Sequence, residues 1–175
     1  DLATAQTPES MEICFVPDNN YKRFLQEYSP NEVDSIGAGD ILENDKVVGK
    51  HDGYIRYTIG QRKGLGLSNP EPRYVQKINP ESNTIVVSKK NGLYSDNCNV
   101  SSVNWLVDSS NIKSDVFAQI RYNSQPVSAE INNIEEGRLA VNFIDPQLAV
   151  TPGQSVVFYN REEPETVLGG GIIER

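Results

Sequence analysis

The sequence holds two thiols, Cys14 and Cys98, and one imidazole, His51, so its means for nucleophilic, redox or metal chemistry are few. The thiols stand 84 positions apart, which is neither a disulfide framework nor a zinc-ligand spacing. With a single histidine beside them, no His/Cys metal cluster can be assembled, and no metal is expected. Cys14 lies between Ile13 and Phe15 and has two readings. It is a small buried hydrophobe, as free cysteines often are, or a nucleophilic or sulfur-carrying thiol, which needs access and a lowered pKa. Asp18 fits a helix N-cap four residues later, and the dipole of that helix would favour a thiolate. Cys98 sits in Ser-Asp-Asn-Cys-Asn, where the acidic surroundings would raise its pKa, and is read as incidental. His51 could act as a general base with Asp52 orienting it. Neighbours on a strand point to opposite faces, however, so a turn role is expected.

Other residues suit binding. Gly60-Gln-Arg-Lys-Gly-Leu-Gly66 joins mobile glycines to two cations, Arg62 and Lys63, which suits either a structural turn or contact with a phosphate. It lacks the Gly-Lys-Ser/Thr of a P-loop. Arg121-Tyr122 closes an apolar run and Gln154 follows the turn Thr151-Pro-Gly153. An arginine, an aromatic ring and an amide at loop-proximal positions can stack on and hydrogen-bond a nucleotide. Gly169-Gly-Gly171 has no basic partner and falls inside a strand pattern, where a bulge or close backbone packing explains it better.

The elements that must position these residues are mostly strands. Tyr21, Phe24, Leu25 and Tyr28 follow helical spacing, so a helix opened by Asp18 is expected to end near Ser29-Pro30. Ile41-Leu42 and Val47-Val48 flank Glu43-Asn-Asp-Lys46 as a hairpin. Further strands are expected over residues 74–78, 84–88, 116–122, 127–131, 139–143, 155–159 and 167–173. Short strands at such spacing suggest a closed antiparallel barrel or a sandwich. The expected organisation is mainly β: a linker over 1–20, a small α+β central domain over 21–90 and a β-barrel over 91–175, with Lys89-Lys-Asn-Gly92 near the boundary.

Composition narrows the function classes. Net charge is −8, which argues against indiscriminate nucleic-acid binding. Yet Arg56, Arg62, Lys63, Arg73 and Lys77 face a single acid, Glu71, between positions 56 and 77, so a polyanion could still be held locally. There is no apolar run long enough to cross a bilayer and no signal pattern, so no membrane partner and a cytoplasmic location are expected. The polar start DLATAQTPES, with Met11 the only methionine, reads as a cut end.

Several stretches together resemble the tRNA-specific 2-thiouridylases. They are Ser10-Met-Glu-Ile-Cys-Phe-Val16, Gly49-Lys-His-Asp-Gly53, Tyr57-Thr-Ile-Gly-Gln-Arg-Lys-Gly-Leu-Gly66, Val103-Asn-Trp105, Ile120-Arg-Tyr122, Ala149-Val-Thr-Pro-Gly-Gln-Ser155 and Leu168-Gly-Gly-Gly-Ile-Ile173, in the family's order. The resemblance implies an adenine-nucleotide domain, a small central domain and a C-terminal barrel resembling the second domain of elongation factors. The family's Ser-Gly-Gly-x-Asp-Ser loop is not in this sequence, so the ATP-binding domain and a second catalytic cysteine are expected before Asp1. It also implies that Cys14 receives sulfur as a persulfide from a sulfur-relay protein or cysteine desulfurase. That sulfur goes to carbon 2 of a tRNA wobble uridine whose oxygen ATP has adenylated. By position, Arg121, Tyr122 and Gln154 match residues the family uses to touch tRNA, and Arg62 and Lys63 join them on charge. The competing reading is a non-catalytic RNA-binding module or translation-factor-like barrel, for which a pull-down would find a translation partner and no sulfur carrier.

Overall fold

A computed structural model describes Val16, Asp18 and residues 20–174; Cys14 lies outside them. The first helix, α1 (Tyr21–Tyr28), forms where the spacing predicts one, but Asn20 caps it and Asp18 does not. The Asn20 side chain accepts the Arg23 N–H at 3.0 Å, whereas Asp18 sits further out and accepts from Asn20 N–H and the Arg23 guanidinium. The cap goes to the residue whose oxygen reaches the third helical amide. No residue of α1 is buried, and its Tyr21, Phe24 and Tyr28 rings stack in a row. α1 ends at Tyr28 with Ser29 as its C-cap, as expected, and Pro30 also begins a second helix, α2 (Pro30–Ile36), at a position where its missing N–H is harmless.

A four-stranded sheet follows. β1 (Gly39–Glu43) and β2 (Lys46–His51) make the expected hairpin, with Asn44 and Asp45 both at positive φ in its two-residue turn. A long connection with one 3-10 turn over Tyr54–Arg56 leads to β3 (Tyr74–Asn79) and β4 (Thr84–Ser88). The order is β2-β1-β4-β3, and β1 lies parallel to β4. Alternation puts Ile41, Val75, Ile85 and Val87 on one face, where Tyr57 and Leu65 of the connection cover them. Gly60 N–H donates to the Val75 carbonyl and Val75 N–H to Gln61, so the connection also protects the β3 edge.

The remaining strands are β5 (Tyr94–Trp105), β6 (Asp115–Gln119), β7 (Val127–Glu135), β8 (Arg138–Leu148), β9 (Ser155–Tyr159) and β10 (Val167–Ile173). They close into a six-stranded antiparallel barrel, β10-β5-β8-β7-β6-β9. Strands β5 to β9 send alternate apolar residues inward and β10 adds Leu168 and Ile173, with Val100, Val116, Ala118, Ala129, Val141, Val156 and Phe158 fully buried. Each Val or Phe so buried contributes roughly 1.5–3 kcal/mol. The sequence reading had no counterpart of β5, the longest strand. It also ran β6 on through Tyr122, whereas β6 stops at Gln119 and leaves Arg121 and Tyr122 on the following turn.

Gly169-Gly-Gly171 shows both features expected of it. The ladder to β5 shifts register between Gly170 and Ile172, and neighbouring backbone packs against all three glycines. A Cβ on Gly170 would stand 2.5 Å from the Val156 carbonyl oxygen, and one on Gly169 2.4 Å from that of Asn104.

Candidate functional site

At one end of the barrel two loops meet. The first is the turn after β6. Ser124 N–H and its hydroxyl both donate to the Arg121 carbonyl, and the Gln119 amide donates to the carbonyls of Tyr122 and Ser124. Gln119 is itself fixed by the Tyr159 hydroxyl at 2.8 Å. This frame leaves the Tyr122 ring 80% exposed on a rigid support. The second loop, residues 149–154, joins β8 to β9. Gly153 N–H donates to the Ile173 carbonyl, and Ile173 N–H to that of Gln154, which pins an exposed Gln154 to the barrel rim.

One carbonyl joins the loops. Ala149 O accepts the Arg121 guanidinium at 2.6 Å and the Thr151 hydroxyl at 2.8 Å. Ala149 reaches this position in the left-handed region, φ 51°, which costs a non-glycine residue roughly 1–2 kcal/mol. It is buried and held by its own N–H to the Leu93 carbonyl. Arg121 is thus a cation fixed at one nitrogen, and its other side-chain donors have no partner among the described residues. Sequence reading missed Gln119, Tyr159, Ala149 and Thr151, because their roles depend on contacts between distant positions.

The structure brings Arg121, Tyr122 and Gln154 onto this end of the barrel. Arg62 and Lys63 are exposed on the connection of the central sheet, whose start lies beside the same loop: a Cβ on Gly60 would be 3.5 Å from Ala149 Cβ. Part of the Gly60–Gly66 segment is structural, since Gly60 N–H serves Val75 and Leu65 is buried in the sheet core. Cys98 is buried in the barrel, and its thiol is pushed up to about 11. The direction agrees with the sequence reading, but burial causes it and not acidic neighbours.

His51 is buried, at 1% exposure, and its two ring nitrogens are both engaged. Nδ1 accepts the Gly53 N–H at 3.1 Å, and Nε2 lies 3.2 Å from the Asn83 carbonyl, to which a neutral ring donates. It therefore fastens the end of β2 to the β3–β4 turn and is no general base. Burial pushes its pKa below the usual 6.5, over the opposing pull of the Asn83 carbonyl, Asp52 and Asp40, with Lys50 pushing down as well. The unfolded chain then binds the proton more readily than the folded one. This contribution to stability is complete above about pH 6.5 and is lost as pH falls through the depressed value. With one histidine in the chain, its imidazole resonance can be followed directly. It is expected to titrate below 6.5 while the central sheet loses hydrogen-exchange protection, and a ring titrating above 6.5 would contradict this.

Among the described residues no group of three or more His, Cys, Asp or Glu side chains is placed to hold a metal ion. No helix among them is long and apolar enough to cross a membrane.

Comparison with known proteins decides the family. Residues 22–89 match a family model described as the tRNA methyl transferase PRC-barrel domain, and residues 95–173 one described as the aminomethyltransferase beta-barrel domain. The tRNA-specific 2-thiouridylase MnmA of Carboxydothermus hydrogenoformans is 45% identical over 176 residues, covering 100% of this chain and 47% of the relative. The protein of the same name from Geotalea uraniireducens is 41% identical over 99% of this chain and 45% of its own length.

The chain belongs to the tRNA-specific 2-thiouridylase family.

A third 2-thiouridylase, from Clostridium perfringens, is 44% identical over 95% of this chain and 45% of its own length. The chain spans about half the length of the curated 2-thiouridylases it matches. The two family models fall on the sheet and on the barrel, and the contact of Gly60 with Ala149 lies where these two parts of the 2-thiouridylase chain meet.

Proposed function

We propose that this chain supplies the sulfur-bearing cysteine and the tRNA-holding surface of a tRNA-uridine 2-sulfurtransferase. The observation that carries the second part is the rigid convergence of Arg121, Tyr122 and Gln154 at one end of the barrel. The guanidinium meets a phosphate or base edge, the tyrosine ring stacks on a base and the amide hydrogen-bonds one. Arg62 and Lys63 extend the positive surface from the central sheet. The sequence lacks the Ser-Gly-Gly-x-Asp-Ser loop that the resemblance assigns to ATP. ATP and the adenylation of the uridine 2-oxygen are therefore assigned to a nucleotide-binding domain of a longer polypeptide.

Cys14 carries the sulfur. A sulfur-relay protein or cysteine desulfurase delivers it as a persulfide, Cys14–S–S⁻. The terminal sulfur attacks carbon 2 of the activated uridine and the adenylate leaves with the oxygen and its electron pair. A second cysteine of the longer polypeptide then attacks Cys14, forming a disulfide and freeing the thiolated base. In the alternative order that attack comes first and releases sulfide as the nucleophile. A persulfide is more acidic than a thiol, so it is ionised and reactive near neutral pH.

The tRNA surface is tested by titrating the 175-residue chain with a tRNA transcript over a range of salt. Arg121→Ala is expected to lower the slope of log K against log salt by about one. Tyr122→Ala is expected to weaken binding roughly tenfold, the size of one base–aromatic stack. Salt-independent or absent tRNA binding by the unmodified chain would remove the proposal's main support.

A further inference from the structure

A groove of about 860 Å³ runs between the central sheet and the barrel. One wall holds Tyr21 from α1 with Tyr54 and Tyr57 from the connection, and the other is Thr151–Pro152 of the barrel loop. We propose that this groove binds an unpaired stretch of the tRNA, with bases against Tyr21 and Tyr54 and a phosphate beside Lys77. The inference rests on the RNA-binding reading above and extends it to a surface that the reading does not use.

Three observations support it. First, the groove carries a cation that can take an anion. Lys77 lines it, exposed and in no ion pair among the described residues, while the Lys22 ammonium sits over the Tyr57 ring, 5.9 Å from its centroid. The one carboxylate in the lining is Glu81. In a chain of net charge −8, a lining whose two charges cancel does not repel a polyanion.

Second, the backbone is shaped to place Lys77 there. The β3–β4 register shifts between Val75 and Lys77, with Gln76 as the extra residue. Without that bulge Lys77 would follow the buried Val75 onto the core face, two positions along the strand. The bulge turns it outward and brings Ile78 toward the core.

Third, the groove is continuous with the barrel site. Thr151 lines it and shares the Ala149 carbonyl with Arg121, and Gln154 N–H donates to the Thr151 carbonyl. A ligand crossing from Arg121 would therefore enter the groove past Thr151. Its tyrosine wall can be reached only by splayed bases, because a paired helix keeps its base faces stacked inside. The volume suits a nucleotide stretch better than a single small anion.

The test compares binding of the unmodified chain to a tRNA transcript and to a fully paired RNA duplex of similar length. The double variant Tyr21→Ala/Lys77→Gln changes two surface side chains and leaves the cores untouched. It is expected to lose roughly tenfold or more on tRNA, with little change on the duplex, while Tyr21→Phe keeps the ring and the affinity. Unchanged tRNA binding by the double variant beside weakened binding by Arg121→Ala would overturn the groove and leave the barrel site standing, and would point to a protein occupant. Weakened binding by the double variant with Arg121→Ala unaffected would support the groove and overturn the barrel site. If the unmodified chain binds neither RNA, both inferences fall.

Discussion

Cys14→Ser, introduced into the intact sulfurtransferase, is expected to abolish tRNA thiolation while leaving tRNA affinity within about twofold. Serine keeps the size of the side chain but cannot hold a sulfane sulfur, so the persulfide never forms. Loss of a covalent nucleophile costs on the order of 10³-fold or more in turnover. The companion substitution Cys98→Ser is expected to leave thiolation intact, because Cys98 is buried in the barrel with a thiol pushed up to about 11. A thiol of that kind is protonated at neutral pH and shielded from any donor. The pair therefore separates sulfur transfer from folding. Mass spectrometry of the modified nucleoside reads the outcome, and thiolation surviving Cys14→Ser would make Cys14 a packing residue. The 175-residue chain alone is expected to bind tRNA without thiolating it.

The second large effect concerns the glycines of β10. Gly170→Ala would place its new methyl 2.5 Å from the Val156 carbonyl oxygen, which is backbone of the strand paired with it. No side chain can swing aside to make room, so β9 and β10 must separate or buckle at the point where the barrel closes. Overpacking against a flexible neighbour costs about 1–3 kcal/mol, and a backbone clash at a closed ladder should exceed that. A loss of about 3 kcal/mol or more is a large part of a domain's typical 5–15 kcal/mol. Trp105, the chain's one tryptophan, packs on Phe158 at 5.5 Å between ring centroids and reports the change by fluorescence. The urea midpoint of that signal should fall steeply. A control at Gly137, at φ 73° with nothing within 4 Å of a Cβ, should tolerate Asn at a cost of about 1 kcal/mol or less. Equal midpoints for Gly170→Ala and the parent would refute the account of the glycine triplet.

Local signals in the sequence carried much of the architecture. The β1–β2 hairpin, β4, β9 and β10 announce themselves through apolar runs bounded by turn residues, and the closed barrel was one of two architectures those strands suggested. β5 did not, because Ser95, Asp96, Asn97, Asn99, Ser101, Ser102 and Asn104 give it a loop's composition. It is a strand because β8 and β10 pair with it on both sides, and such pairing overrides weak intrinsic preference. Asp18 was the expected cap, and the backbone geometry gives that role to Asn20 instead. At the candidate site, Arg121, Tyr122 and Gln154 were named from residue type and family resemblance. What positions them was not, since Gln119 with Tyr159, and Arg121 with Ala149, are pairs 40 and 28 residues apart.

Closure of the barrel by β10 also sets a timetable for synthesis. Ile173 pairs with Val100 across more than seventy residues, and β10 supplies the hydrogen bonds that both β5 and β9 need on one side. While the chain is emerging from a ribosome, β5 through β9 can collapse but not close, leaving two unpaired strand edges exposed until Val167–Ile173 appears. The sheet preceding it needs only residues up to Ser88 and can be complete by then. A nascent chain halted short of Val167 would thus carry a finished sheet tethered to an aggregation-prone half-barrel.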